Sequence, residues 1–254
     1  MAERPSPKRK AAGSKPAIPA MSNLIRQPIA ILGGMGPDAS CRLYQLMIEL
    51  SRSDFGAVEN HQYPEIIIDS VPVPEFFSNT QKAEEATFML RDRVRKLNYL
   101  QPGCFGLACN TAHTTLVDLE QETLVPFISI ASETAKEAVR RGYKKVGLLA
   151  SPTTIFSGVY QTEFLDKNIE VILPDNGYID ELGEIIGQIV GGEFKQPKAR
   201  LLKIADSLKK KKVEAIVLGC TELPLVFPKN YSLPVLNTLE ILGRSLLTRY
   251  YKGE

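Results

Sequence analysis

Cys109 and Cys220 are the residues with the clearest capacity for chemistry. Each follows an apolar run, Phe105-Gly106-Leu107-Ala108 and Ile216-Val217-Leu218-Gly219. Each also opens a polar stretch, Asn110-Thr111-Ala112-His113-Thr114 and Thr221-Glu222-Leu223-Pro224. A thiol with an ordinary pKa near ~8.5 is readily shifted by a helix N-terminus, so one thiolate and one thiol can serve as base and acid at neutral pH. Placed on opposite sides of one carbon, such a pair takes a proton from one face and returns a proton to the other. The bland alternative for any cysteine is a small core residue. The matched contexts argue against it for this pair. Cys41, on the first helix, and Cys104, at a strand start, are read as structural.

The neighbours of the pair are candidates by position. His113, four residues after Cys109, shares a helical face with it and tunes the thiol, contacts the ligand, caps the helix or supports the residues that line the site from behind. Glu222 is either a partner of the adjacent thiol or an acid at a helix N-terminus. A metal held by Cys109, His113 and Cys220 would need three scattered ligands with no paired spacing, so no metal is expected. Gly34-Met35-Gly36-Pro37-Asp38-Ala39 formally satisfies the dinucleotide fingerprint G-x-G-x-x-G/A, with Asp69 as the ribose-binding acid. Pro37 removes an amide where a pyrophosphate wants donors, and that reading leaves the two cysteines unexplained.

The elements that must position these groups alternate between strand and helix. Ile29–Leu32 is a strand that ends in the loop Gly33-Gly34-Met35-Gly36-Pro37, and Leu43, Leu46, Met47 and Leu50 then recur at helical spacing. Further strands are read at Glu65–Ile68, Cys104–Ala108, Val146–Ala150, Glu170–Leu173 and Ala215–Leu218, with a helix at Ala83–Leu100. Fully apolar strands alternating with helices predict parallel sheets covered by helices. The chain also repeats itself. Val146–Ala150 and its Ser151-Pro152-Thr153-Thr154 loop echo the first strand and the glycine loop. A cysteine-ended strand follows each, then a short strand (Pro126–Ile130, Pro234–Asn237) and a helix (Ala131–Arg141, Leu239–Tyr251). Three matched landmarks in order predict two similar Rossmann-like α/β domains related by a pseudo-twofold. The boundaries expected are 26–124 with 236–254 for the first domain and 125–235 for the second. Ligands of parallel sheets bind beyond the carboxyl ends of strands, which puts the two thiols on facing walls of one cleft.

Composition narrows the rest. The 254 residues are 44% hydrophobic and 24% charged, with a net charge of +2 spread along the chain, as in a globular protein without a nucleic-acid stripe. No apolar run approaches a membrane span. Four cysteines without a CxxC pair do not make a disulfide framework, so reduced thiols in a cytoplasmic protein are expected. Residues 1–25, basic and rich in Pro and Ala, read as a disordered tail.

The motifs Ile31-Leu32-Gly33-Gly34-Met35-Gly36-Pro37, Cys109-Asn110-Thr111-Ala112-His113 and Gly219-Cys220-Thr221-Glu222 resemble those of the aspartate/glutamate racemase family, in the same order from residue 28 onward. The resemblance implies a two-domain fold, no pyridoxal phosphate or other cofactor, and a homodimer. It also implies a free amino acid as substrate, racemised at Cα by Cys109 and Cys220. Substrate contacts are implied for Met35, Asn110, Thr111 and Thr221. A non-catalytic amino-acid-binding protein and a related isomerase or decarboxylase are the alternatives. Aspartate racemases of this kind also resemble one another in an arginine after the second strand and a lysine after the Ser151 loop. Here Phe76 and Thr162 stand at those positions. A second substrate carboxylate would therefore lack a cation unless Arg42 or Arg91 supplies one.

Overall fold

The computed structural model describes residues 26–74 and 80–253. The N-terminal segment 1–25 and Phe76 lie outside the described residues. The apolar runs at Ile29–Gly33, Cys104–Leu107, Lys145–Ala150 and Ala215–Gly219 form strands buried on both faces, as the central strands of parallel sheets between helical layers require. The first half runs β1 (Ile29–Gly33), α1 (Pro37–Ser53), β2 (Ile66–Ser70), α2 (Thr80–Asn98), β3 (Cys104–Leu107), α3 (Leu116–Glu120), β4 (Phe127–Ile128) and α4 (Ile130–Arg140). The second runs β5 (Lys145–Ala150), α5 (Pro152–Ser157), α6 (Val159–Leu165), β6 (Glu170–Ile172), α7 (Asn176–Val190), α8 (Pro197–Lys210), β7 (Ala215–Gly219), β8 (Val235–Asn237) and α9 (Thr238–Lys252).

Two four-stranded sheets result, ordered β2-β1-β3-β4 and β6-β5-β7-β8, and every pairing is parallel. The orders are the same when the second set is counted from β5, so the repeat read in the sequence is a repeat of topology. Each sheet reverses its strand order between its two central strands. The crevice outside the carboxyl ends of such a pair is where open α/β sheets bind ligands. The loops that leave β1, β3, β5 and β7 therefore carry the site.

The halves exchange their last helices. Ala131, Ala135 and Ala138 of α4 are buried with Val146, Leu148 and Ala150 of the second sheet. Leu239, Leu242, Leu246 and Leu247 of α9 are buried with Ile29, Ile31, Leu43 and Met47 of the first. The expected boundaries near 125 and 236 differ from the sheet pairing by a few residues. Phe127 pairs with Phe105 in the first sheet, and Val235–Asn237 pair with β7 in the second. Strands this short carry too little pattern to be assigned to a sheet by sequence.

Leu246 shows how closely α9 is seated. It is fully buried, and a Cβ added at Gly106 of β3 would lie 2.8 Å from its Cδ1. Leu246→Ala is expected to destabilise the fold by about 2–5 kcal/mol through the lost contacts and the residual cavity, read as a lower midpoint in urea unfolding. A loss below ~1 kcal/mol would mean that α9 is not the lid of the first sheet.

Candidate active site

The first wall of the site is the loop after β1. Gly34 has φ +88°, and a Cβ there would meet the Val71 backbone at 2.6 Å, so this position is restricted to glycine. Ser40, in the first turn of α1, holds the loop: its Oγ accepts from the Gly34 amide at 3.0 Å and donates to the Gly36 carbonyl at 3.2 Å. Pro37 opens α1, where a missing amide is not needed.

Cys109 and Cys220 both line a cavity of about 200 Å³ between the halves, together with Met35, Asn110, Thr111, Ser151, Ile186, Val190 and Glu222. That volume is below the roughly 300–1,000 Å³ of pockets for drug-sized ligands and suits a single amino acid. Neither cysteine is followed by an α-helix. Tight 3₁₀ turns, Thr111–Thr115 and Leu223–Leu225, follow instead. The expected depression of a thiol pKa is not found. Burial pushes Cys109 up to about 12, aided by the Glu222 carboxylate and opposed by the Ala112 and Thr111 amides. Burial also raises Cys220 well above the ordinary thiol range, and the adjacent Glu222 raises it further.

Glu222 is buried, and donors surround it. Its Oε2 accepts from the Cys220 thiol at 2.9 Å and the Thr221 hydroxyl at 3.0 Å, and its Oε1 accepts from the Gly36 amide at 3.4 Å. A carboxylate thus already occupies the glycine loop where a dinucleotide would set its pyrophosphate. Asp69, the acid that reading needs, pairs with Arg93 at 3.7 Å. The dinucleotide alternative fails on both counts.

Polar groups from both halves form the rest of the lining. The Thr111 hydroxyl lies 2.9 Å from that of Ser151 and 3.0 Å from that of Thr154, joining the end of β3 to the end of β5. Asn110 is locked: its amide nitrogen donates to Thr238 Oγ1 at 3.3 Å and its oxygen accepts from the Tyr160 hydroxyl. Thr238 in turn donates to the Leu218 carbonyl at 2.7 Å.

A model of the Asp/Glu/Hydantoin racemase family matches residues 32–245. The chain belongs to this family. It is 27% identical over 223 residues to the broad specificity amino-acid racemase RacX of Bacillus subtilis, covering 87% of this chain and 97% of that protein. An aspartate racemase homologue from Pyrococcus horikoshii shares 31% identity with a TM-score of 0.74, covering 89% of this chain and all of that one. The aspartate racemase of Picrophilus torridus shares 25% identity with a TM-score of 0.74, covering 88% of this chain and 94% of that one.

Within this racemase-family fold, the sequence-predicted residues separate into those gathered at the cavity and those outside it. Met35, Cys109, Asn110, Thr111, Cys220 and Glu222 all line it. Thr221 lies beneath it, fully buried, with its hydroxyl given to Glu222. Thr162 is exposed on α6 and does not line the cavity. Arg42 and Arg91 are not cavity cations either, since they pair with Glu49 and Glu122 at other faces. Ser151 and Thr154 were missed as site residues, although their loop was recognised as the counterpart of the glycine loop. Tyr160, Ile186 and Val190 were also missed, and no local motif marks them.

His113 does not touch a thiol. The Ile130 amide donates to its Nε2 at 3.1 Å, so Nδ1 carries the proton and donates to the Cys109 carbonyl at 2.8 Å. With both nitrogens taken by backbone, the ring can ligate no metal without breaking this link. Burial lowers its pKa from 6.5 to about 4, against the pull of the Cys109 carbonyl. The unfolded chain therefore binds this proton first as pH falls. Stability from neutral His113 is present above pH 6.5 and lost as pH falls toward 4, by roughly 3 kcal/mol. His113→Asn is expected to be less stable at pH 7 and to lose less on acidification by about that amount, measured by urea unfolding across the window. Parallel profiles for the two proteins would show that His113 is not buried neutral.

Proposed function

We propose that this chain is a cofactor-independent amino-acid racemase in which Cys109 and Cys220 act on opposite faces of Cα. The observation that carries the reading is that both thiols line one cavity of amino-acid size, at the ends of β3 and β7, corresponding strands of the two halves. A thiolate on one side takes the Cα proton, and the C–H electron pair stays on the substrate as a carbanion delocalised into its carboxylate. The opposite thiol then gives its proton to the other face and becomes the thiolate. The reverse direction uses the same groups with roles exchanged.

The surrounding residues support each step. The Thr111 and Ser151 hydroxyls and the backbone after Cys109 offer donors for the α-carboxylate, whose charge grows as the carbanion forms. The described cavity lining has no lysine to make a Schiff base. The raised thiol pKa values also have a use. The substrate ammonium brings a positive charge into a cavity whose described lining has none, and a nearby cation favours thiolate over thiol. Base formation is thereby tied to an occupied site.

Incubation of the protein with each L-amino acid in D₂O, without pyridoxal phosphate, tests the reaction. Deuterium at Cα with loss of chirality is expected, and alkylation of the thiols should abolish both. Cys109→Ser and Cys220→Ser should each lower racemisation by at least about 10²-fold, because an alcohol is a poor acid-base group at neutral pH. Full activity in either serine variant would overturn the two-thiol assignment. Saturable binding with no exchange of the α-proton would identify a binding protein instead.

A further inference from the structure

Two kinds of group line the cavity. The polar ones, Asn110, Thr111, Ser151 and Glu222, are joined to one another or to their neighbours by hydrogen bonds. The apolar ones are Met35, Pro37, Val73 and Pro74 of the first half and, on α7, Ile186 and Val190, which stand four residues apart and so share one face of the helix. Ile186 is 5% exposed and packed into the second core, whereas Val190, the last residue of α7, is 47% exposed and stands at the rim. A Cβ added at Gly36 would lie 2.8 Å from Glu222 Oε1 and 3.9 Å from Val190 Cγ2, so the apolar rim and the buried carboxylate meet the same loop.

We propose that Ile186 and Val190 determine specificity, selecting an amino acid with a neutral aliphatic side chain over one with a second carboxylate. The inference rests on the racemase reading above. Every amino acid presents an α-carboxylate, and the Thr111 and Ser151 hydroxyls are the donors for it. Asn110 is already committed to Thr238 and Tyr160. A second carboxylate would meet the α7 wall, the negative charge of Glu222 and no Lys or Arg among the described lining residues. Burying a carboxylate without a partner is strongly unfavourable, and a like charge adds to it. An aliphatic side chain instead gains about fourfold in affinity for each methylene removed from water.

The test measures α-proton exchange in D₂O, with kcat and KM, for alanine, leucine, methionine, lysine, aspartate and glutamate. Wild type, Val190→Arg and Ile186→Ala are compared. Wild type should handle leucine and methionine about 100-fold more efficiently than aspartate or glutamate. Val190→Arg adds a cation at a half-exposed helix end that can accommodate it. It should raise the ratio of aspartate to leucine turnover by at least about tenfold, the worth of one charge-assisted hydrogen bond. Ile186→Ala should weaken leucine mainly through KM. Aspartate or glutamate turned over faster than leucine by wild type would overturn the proposal, as would an unchanged ratio in Val190→Arg. The failure of the racemase reading is distinguishable, because it would show as no exchange of any amino acid. In that event, protection of Cys109 and Cys220 from iodoacetamide by leucine but not by aspartate would still support the α7 assignment, and equal protection would overturn it as well.

Discussion

A carboxylate buried between two halves of a protein has to be given donors, and the donors of Glu222 set much of this site. Unpaired, such a group is strongly destabilising. Here it takes the thiol of Cys220, the hydroxyl of Thr221 and the amide of Gly36. A Cβ at residue 36 would lie 2.8 Å from the carboxylate oxygen, so a larger residue there would push Glu222 from its place. The glycine loop loses an amide that might otherwise bind a phosphate. The proton of Cys220 is held in place, since a thiolate beside a carboxylate is doubly disfavoured by burial and by like charge. One ion therefore ties down the glycine loop and sets the resting state of a thiol.

The two thiols are equivalent in the backbone and unequal in their surroundings. Cys109 is approached by the amides of Thr111 and Ala112, which favour its thiolate. Cys220 has a carboxylate as hydrogen-bond acceptor, which favours its thiol. Duplication of an α/β unit supplied the matching positions. Divergence of the residues that follow, Asn110-Thr111-Ala112-His113 against Thr221-Glu222-Leu223-Pro224, supplied the difference. Burial raises both thiols, and the amides at Cys109 oppose that rise whereas the carboxylate bonded to Cys220 adds to it.

Much of this was legible in the chain. The apolar runs of β1, β3, β5 and β7 are buried on both faces, so periodicity and composition identify them without ambiguity. Their order gives the duplication, and the cysteines at the ends of β3 and β7 give the cavity. What escaped was set by distant packing. Ile186 and Val190 belong to an ordinary amphipathic helix, and only the docking of α7 over the cleft makes them lining residues. Tyr160 is one more aromatic residue until Asn110 is brought beneath its hydroxyl. The 3₁₀ turn after Cys109 sets the His113 ring on the Cys109 carbonyl rather than on its sulfur, behind the thiol and not in contact with it. The thiol pKa directions were misjudged for a related reason: local sequence shows the amides near a sulfur but not the depth of its burial.

Two-sided proton transfer places a stricter demand on the fold than binding does. In the proposed reaction both sulfurs must reach one carbon, and a misplacement of about 1 Å can lower a rate by ~10²-fold. Separate domains on a flexible joint would not hold that tolerance. The exchange of α4 and α9 meets this demand, because α4, which follows the last strand of the first sheet, is buried against the second sheet, and α9, which follows the last strand of the second, is buried against the first. The buried polar links run across the same seam. Tyr160 and Thr238 fix Asn110, Ser151 and Thr154 fix Thr111, and the Ile130 amide fixes His113 and through it the Cys109 carbonyl. Each residue beside Cys109 is therefore anchored by a partner that lies later in the chain, at the start of α4 or within the second half and α9. The position of the first thiol is thus a property of the assembled pair of sheets, and neither half alone would present it.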